Sequence, residues 1–370
     1  MVISHTMESA VNETEVSCFN VDEDAVELLM YSPAQKCTIT VILPIVLTFG
    51  ILNNVAFLFV VFRVRGMKTV TNACLANLAV ADMIFLVTAI GQRLYTYCKS
   101  PIYPDATPVG LVGCELGNLT KSTTYLAALC SVTLVSMERY EGVCHPQRSH
   151  NRTGRKTFRW LIVFSWLGAF FVSATFIPSY LKYTTTCVIW PEQYSHWPTT
   201  WSTCNPLESW LTIYKHVVQS IPFIVAFVVN VVLYVNIVRG LNASVRRGRL
   251  TSLKDKNVKL RNQIAWMLIV NGLVFFLLLS PYECLSLVKA MTARHSEPPA
   301  VMIEEMFKCL SYVNSAINPV IYISMSSRYR SAFCAAFLPP FGKNKFGKAT
   351  TVSQNSAISS LLDICRDSQV

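Results

Sequence analysis

Ser311-Tyr-Val-Asn-Ser-Ala-Ile-Asn-Pro-Val-Ile-Tyr322 sets amide and hydroxyl side chains and a helix-kinking proline inside an otherwise apolar segment. Hydrocarbon offers no hydrogen-bond partner, so polar groups at that depth are costly unless they face other helices or trapped water. The stretch therefore reads as one wall of a buried polar seam between membrane-spanning helices, placed to bind something or to move. Asn314 and Asn318 are four residues apart and share a helix face.

The rest of the chain is built for the same solvent. Of 370 residues, 52% are hydrophobic and only 14% charged, and the mean hydropathy is +0.40, too apolar for an ordinary soluble domain. Seven windows can cross roughly 30 Å of hydrocarbon at about 20 residues each. They are 37–62, 72–97, 114–140, 160–180, 211–238, 263–288 and 302–323. Lys121 interrupts the third, and Lys215 and His216 the fifth, so those edges are blurred. The expected fold is all-α, a seven-transmembrane helix bundle with a short amphipathic eighth helix and an extracellular β-hairpin.

Lys and Arg beside span ends are retained in the cytoplasm. The connection after the first window carries Arg63, Arg65 and Lys68, and the one after the third carries Arg148, Arg152, Arg155, Lys156 and Arg159. The one after the fifth is richer still, from Arg239 to Arg261. The leading segment is acidic instead, with Glu8, Glu13, Glu15, Asp22, Glu23, Asp24 and Glu27. The amino terminus is thus expected outside and the carboxyl terminus inside. The formal charge of +11 reads as topology plus attraction to anionic lipid, not nucleic-acid binding.

No cleavable signal is expected, because 1–36 has no apolar core run. Asn12 in Asn12-Glu-Thr14 is a glycosylation sequon on the outer side. The same triplet at Asn118, Asn151 and Asn242 falls within a span or on the inner side and reads as chance. The expected organisation is a 1–36 extracellular tail, a 37–325 bundle, a 326–337 amphipathic membrane-surface helix with Cys334 a palmitoylation candidate, and a 338–370 disordered tail for kinases and arrestin to act on. The acidic run 21–27 reads as a solvated part of the outer tail.

Of thirteen cysteines, Cys18, Cys37, Cys98, Cys114, Cys187 and Cys204 fall on the outer side, where disulfides persist. Cys187 lies in Lys182-Tyr-Thr-Thr-Thr-Cys-Val-Ile-Trp-Pro191, whose alternating β-branched and aromatic residues predict a strand or hairpin. The expected pair is Cys114–Cys187, with Cys204 as the competing partner. Cys74, Cys130, Cys144, Cys284 and Cys309 read as small apolar packers.

The third window ends in Ser136-Met-Glu-Arg-Tyr-Glu-Gly-Val-Cys-His-Pro146. An acid directly before an arginine at a helix end makes a local ion pair whose release would act as a switch. Two residues alone are more often a solvated helix end. Seven spans, Asp82 in Asn77-Leu-Ala-Val-Ala-Asp82 and Asn318-Pro-Val-Ile-Tyr322 reverse that balance. With Ser280-Pro-Tyr282 and Met325-Ser-Ser-Arg-Tyr-Arg-Ser-Ala-Phe333, the set resembles the rhodopsin-like (class A) G-protein-coupled receptors over about 37–335. Within them it is similar to the neuropeptide receptors, the thyrotropin-releasing hormone receptors among them.

The resemblance implies a receptor that passes extracellular peptide binding to a heterotrimeric G protein, by the Gq route, through outward movement of the sixth helix. It implies coupling and switch roles for Glu138, Arg139, Tyr140, Phe275, Pro281, Asn318, Pro319 and Tyr322. It also implies a polar network of Asn54, Asp82, Asn314, Ser315 and Asn318, with Asp82 as a Na⁺ site and no cofactor otherwise required. The chain departs from the family pattern at four places. Ala128 stands where a hydroxyl is expected, Leu278-Leu279 replaces the usual Cys-Trp before Pro281, Asn230 replaces a tyrosine with Tyr234 one turn later, and Arg261 stands where the sixth span usually begins with an acid.

For the ligand, the third span offers no aspartate, which argues against amine transmitters. Gln92, Lys121, Ser122, Tyr125, Tyr214, Tyr282, Glu283, Ser286, Glu305, Lys308 and Tyr312 are the candidate cavity residues, with Tyr95 beside them. Mixed charges and tyrosines suit an extended peptide with one charged residue and a polar end; the resemblance implies a short amidated one, with its carbonyl at Lys308. Lys121 needs a partner inside the span, and Glu283 is the expected one. The alternatives are a non-peptide ligand, or a transporter, which would show repeats between its halves. An enzyme is not expected, since six histidines are scattered without ligand spacing.

Overall fold

The computed structural model describes residues 18–145, 152–248, 255–292 and 298–337. Asn12 and 338–370 lie outside them. The seven windows are all helices: Pro33–Arg63, Val70–Lys99, Gly110–Cys144, Arg152–Ala174, Trp210–Gly248, Asp255–Thr292 and Pro298–Met325. We call them the first to seventh spans. Most run several residues past the apolar windows, because a helix continues into the interfacial layer until a cap or proline stops it. The fourth is the exception, ending at Ala174 rather than 180. Pro178 lacks a backbone donor, and the chain turns there through the short 3₁₀ segment Ile177–Ser179.

The helices pack in an antiparallel bundle with three stacked layers of buried apolar groups. One, around Tyr31, Leu43, Leu86 and Tyr312, lies nearest the hairpin. A middle layer holds Leu78, Leu126, Phe275, Phe276 and Leu279. A third, around Phe57, Val60, Leu75, Tyr322 and Tyr329, lies toward the Arg139 end. Outward-facing Ile45, Phe62, Phe171, Leu277 and Met306 are exposed, as a lipid-facing wall requires. Gly50 lets the first and seventh spans meet. A Cβ there would come within 2.5 Å of Leu86 and 3.0 Å of Ala316.

After the seventh span, the helix Ser327–Phe337 folds back along the first. Tyr329, Ala332 and Ala336 are buried, the Tyr329 hydroxyl donates to Asn72 Oδ1 at 2.5 Å, and Phe337 meets Phe59. Its apolar face is thus shared between the bundle and the surface. Cys334 is half-buried on this helix.

The hairpin forms as expected, with β2 (Lys182–Ile189) antiparallel to β3 (Thr200–Asn205). The disulfide does not. Cys114 pairs with Cys204, and Cys187 with Cys18, so the expected Cys114–Cys187 pair is corrected. The reason lies in a strand too short to leave a sequence signal. Residues Phe19–Asn20 (β1) run parallel to β2 with Phe19 opposite Val188, and this register lays Cys18 beside Cys187 with Cα atoms 4.5 Å apart. Cys204, at the far end of β3, faces the start of the third span.

The acidic run is likewise not a solvated tail. It forms the helix Glu23–Leu29, capped by the Asp22 carboxylate, which accepts from the Ala25 amide at 2.9 Å. Val21 and Val26 are buried with Ile102, Val188, Trp190 and Trp197, while Asp22, Glu23 and Glu27 are exposed. Cys18→Ser and Cys187→Ser should each destabilise the purified protein by about 2 to 5 kcal/mol in equilibrium unfolding. The double variant is then no worse than either single one. Additive losses for that pair would restore the Cys114–Cys187 assignment.

Candidate functional site

At the hairpin end the helices part around a cavity of about 480 Å³. Tyr31, Tyr103, Asp105 and Tyr180 form its rim, and side chains of the second, third, fifth, sixth and seventh spans form its walls. Eight of the expected ligand residues line it: Gln92, Lys121, Ser122, Tyr125, Tyr282, Glu305, Lys308 and Tyr312. Tyr214, Glu283, Ser286 and Tyr95 do not. Tyr214 packs edge-on against Phe176 and Trp210, Ser286 sits behind His216 with Oγ 2.7 Å from Nδ1, and Tyr95 is on the outside of the second span.

Charge in the cavity is arranged in pairs that cross between spans. Arg93 of the second span bonds Glu305 of the seventh, and Lys289 of the sixth bonds Glu304 of the seventh. Lys308 reaches Glu304 at 3.0 Å and Glu305 at 3.3 Å. Tyr103 donates to Glu305 at 3.2 Å, and burial beside that carboxylate holds its phenol above its ordinary pKa. Tyr31 packs edge-on against Tyr97, and burial pushes its hydroxyl up to about 12. Both phenols therefore stay neutral donors at physiological pH.

The expected Lys121–Glu283 ion pair does not form. Lys121 Nζ donates to Gln92 Oε1 at 3.1 Å. Glu283 is 1% exposed, and its oxygens accept from the Tyr125 hydroxyl and Ser220 Oγ, each at 2.7 Å. Ser220 is on the face of the fifth span that meets the sixth, so this carboxylate ties the third, fifth and sixth spans beside Tyr282. Two neutral hydroxyls satisfy it where sequence reasoning looked for a cation.

Below lies the polar seam. Asp82 Oδ2 accepts from Asn318 Nδ2 at 2.8 Å, and Ser315 borders the same void as the carboxylate. Asn54 Nδ2 donates to the carbonyl of Ser315 at 3.0 Å, so the first span is joined to the seventh through its backbone. Asp82 Oδ1 and Asn314 Oδ1 are buried without a protein partner. Both residues border a small void of about 10 Å³, with Thr124, Ala128, Ser311 and Ser315 around it, room for one water-sized guest. An orphaned carboxylate oxygen with hydroxyls about it suits Na⁺ chemically, although Ala128 contributes no ligand. Phe275 and Leu279 close the other side, so aliphatic packing occupies the place of the family's tryptophan.

At the opposite end Arg139 is held sideways. Its guanidinium contacts Glu138 at 2.5 Å and also bonds Thr71, whose hydroxyl donates to Glu138 at 2.9 Å. These groups border a second cavity of about 250 Å³ with Lys68, Asn72, Ile264 and Arg328. Tyr322 is buried against Phe57 and Tyr329. Asn230 bonds Thr133 at 2.9 Å, and the hydroxyl of Tyr234 lies 3.2 Å from Ser136 Oγ. The groups bonded to Arg139 come from the second and third spans, and Arg261 of the sixth offers it no acid.

Sequence reasoning missed Arg93, Lys215, His216, Lys289 and Glu304 of the cavity. A signal was present for Lys215 and His216, because charge within a span marks a functional wall. It was read instead as a blurred span edge. Lys289 and Glu304 sit near span ends, where charge is ordinary.

A profile of the family described as "7 transmembrane receptor (rhodopsin family)" matches residues 53–322. The chain is 27% identical to the thyrotropin-releasing hormone receptor of Mus musculus over 330 residues, 80% of this chain and 78% of that one. It is 27% identical to neuromedin-U receptor 2 of Rattus norvegicus, over 80% and 74% of the two chains. It is 26% identical to the allatostatin-A receptor of Bombyx mori, over 81% and 80%.

The ion-pair assignment has a direct check. In thermal unfolding, Arg93→Gln and Glu305→Gln should couple by about 0.5 to 3 kcal/mol in a double-mutant cycle. Lys121→Gln and Glu283→Gln should add within about 0.5 kcal/mol. The reverse pattern would reinstate the Lys121–Glu283 pair.

Proposed function

We propose that this chain, which belongs to the rhodopsin family of seven-transmembrane receptors, is a plasma-membrane receptor for a short amidated neuropeptide that acts through a heterotrimeric G protein of the Gq type. It is a receptor and not an enzyme. The observation that carries the reading is a cavity lined by crossed ion pairs and tyrosines at one end and a laterally bonded arginine at the other. A polar seam runs between them. The names of its relatives are those of neuropeptide receptors. The basic-rich connections put the hairpin end outside and the Arg139 end in the cytoplasm.

An extended peptide suits the cavity because its walls offer donors and acceptors on every side, and Lys308 can meet a terminal amide carbonyl. Occupancy that displaces Tyr125 or Tyr282 pulls on Glu283 and hence on the third, fifth and sixth spans together. The backbone donor missing at Pro281 makes the sixth span bend there most easily. Swinging its lower end outward opens the 250 Å³ cavity, releases Arg139 from Glu138 and Thr71, and lets Tyr234 and Tyr322 turn into the space. The freed guanidinium then meets the terminal helix of a Gα subunit. Receptor kinases and arrestin act afterwards on the serines and threonines of 338–370.

Na⁺ at Asp82 favours the closed arrangement, since collapse of the seam expels it. The peptide reading is tested by screening an amidated neuropeptide library for calcium release in cells expressing the chain. Arg139→Ala should keep binding and lose the response; a response that survives it overturns the proposed coupling. The sodium reading has its own check. In washed membranes, NaCl should lower basal nucleotide exchange severalfold for wild type and leave Asp82→Asn unmoved, and a wild type indifferent to NaCl would remove the ion from the scheme.

A further inference from the structure

The cavity wall carries five basic side chains, Arg93, Lys121, Lys215, Lys289 and Lys308, against three carboxylates, Asp105, Glu304 and Glu305. The carboxylates are already committed. Glu304 and Glu305 serve Arg93, Lys289 and Lys308. Asp105 accepts from the backbone amides of Thr107 at 2.8 Å and Ser202 at 3.4 Å, which docks the hairpin.

Lys121 and Lys215 remain. Among the described residues neither has a carboxylate within ion-pair distance. Lys121 reaches only the neutral Gln92, and the charges that act on it, Lys308, Lys215 and Arg93, are all of its own sign. Lys215 rests its ammonium 5.0 Å from the ring centroid of Tyr180, a weak substitute for a counter-charge. Glu283, the nearest candidate in sequence terms, is turned into the protein by Tyr125 and Ser220. The cavity is therefore divided. Its second, sixth and seventh-span side pairs three cations with two carboxylates, and its third and fifth-span side holds two ammoniums with no carboxylate beside them, positive charge within a membrane protein where that is costly.

We propose that the ligand is acidic, with a side-chain carboxylate that seats between Lys121 and Lys215 while the rest of the peptide runs toward Lys308. This rests on the peptide-receptor reading and goes beyond it by fixing the sign of the ligand's charged residue. The two lysines are the specificity determinants. An amine or a basic residue in that place would meet like charge on both sides, and an uncharged one would leave both ammoniums unpaired. On the other side the cations already have carboxylates, so that side selects mainly by shape and hydrogen bonding.

The test uses capped peptide amides in matched pairs that differ only by Glu or Gln at one position. They are applied to membranes containing the full chain, with nucleotide exchange as readout. A parallel set of non-peptide organic carboxylates and their primary amides is applied in the same way. Expected are responses to Glu members with their Gln twins at least about tenfold weaker, a difference of about 1.4 kcal/mol. Lys121→Gln and Lys215→Gln should each shrink that gap, and Lys121→Arg should keep it, which also shows that the cavity is intact. Gln members as potent as their Glu twins, or a gap that persists in the Lys121→Gln/Lys215→Gln double variant, overturn the inference while leaving the peptide reading in place. A lysine-dependent response confined to the non-peptide carboxylates does the opposite, supporting an anionic ligand and sinking the peptide.

Discussion

A polar side chain inside an apolar helix must find its partner in another helix, because hydrocarbon supplies none. Asn54, Asp82, Asn314, Ser315 and Asn318 cannot all be satisfied along their own helices, so they hold the first, second and seventh spans together. The amide of Asn318 on Asp82 and the amide of Asn54 on the Ser315 carbonyl fix that register. Gly50 admits the close approach they need. Once three spans are locked, the apolar layers above and below have little freedom left. The satisfaction is incomplete at Asp82 Oδ1 and Asn314 Oδ1. A packed seam with spare polar capacity is a natural two-state element, because a guest or a rearrangement can complete it.

The same rule acts differently at the two ends. Near the hairpin, charges cross between helices and enclose a cavity, so that a ligand competes with existing pairs on one wall and completes missing ones on the other. At the opposite end, Glu138 and Thr71 draw the guanidinium of Arg139 along the bundle surface instead of across it. Between them Glu283 ties three spans beside the Pro281 kink. Without a tryptophan at the bend, Leu279 and Phe275 make the contact with the middle layer. Movement there must proceed by repacking of buried apolar groups whose shapes are less directional than an indole.

The cap over the cavity is a second, separately stabilised body. The helix Glu23–Leu29, strand β1 and the hairpin share one small core of valines and tryptophans, and two disulfides pin it, one to the third span and one within the cap. Residues 18–31 thereby become part of the rim, with Tyr31 facing the cavity. A run of acids in the sequence hid this. Asp22, Glu23 and Glu27 are exposed, while Val21 and Val26 are buried.

Much of this protein is legible in its sequence. Spans, their number and the hairpin follow from local quantities, namely apolar length and alternation, which the solvent enforces residue by residue. Asp82, Arg139, Pro281 and the seventh-span asparagines stood out because polar, charged or kinking residues are rare and expensive there. What the sequence could not decide was pairing. Cys18 joins Cys187 through the register of a two-residue strand, Glu283 takes hydroxyls in place of Lys121, and Arg93 finds Glu305 across more than two hundred residues of chain. Each depends on which faces of distant helices turn toward one another, and that is set by the packing of the whole bundle rather than by any segment of it.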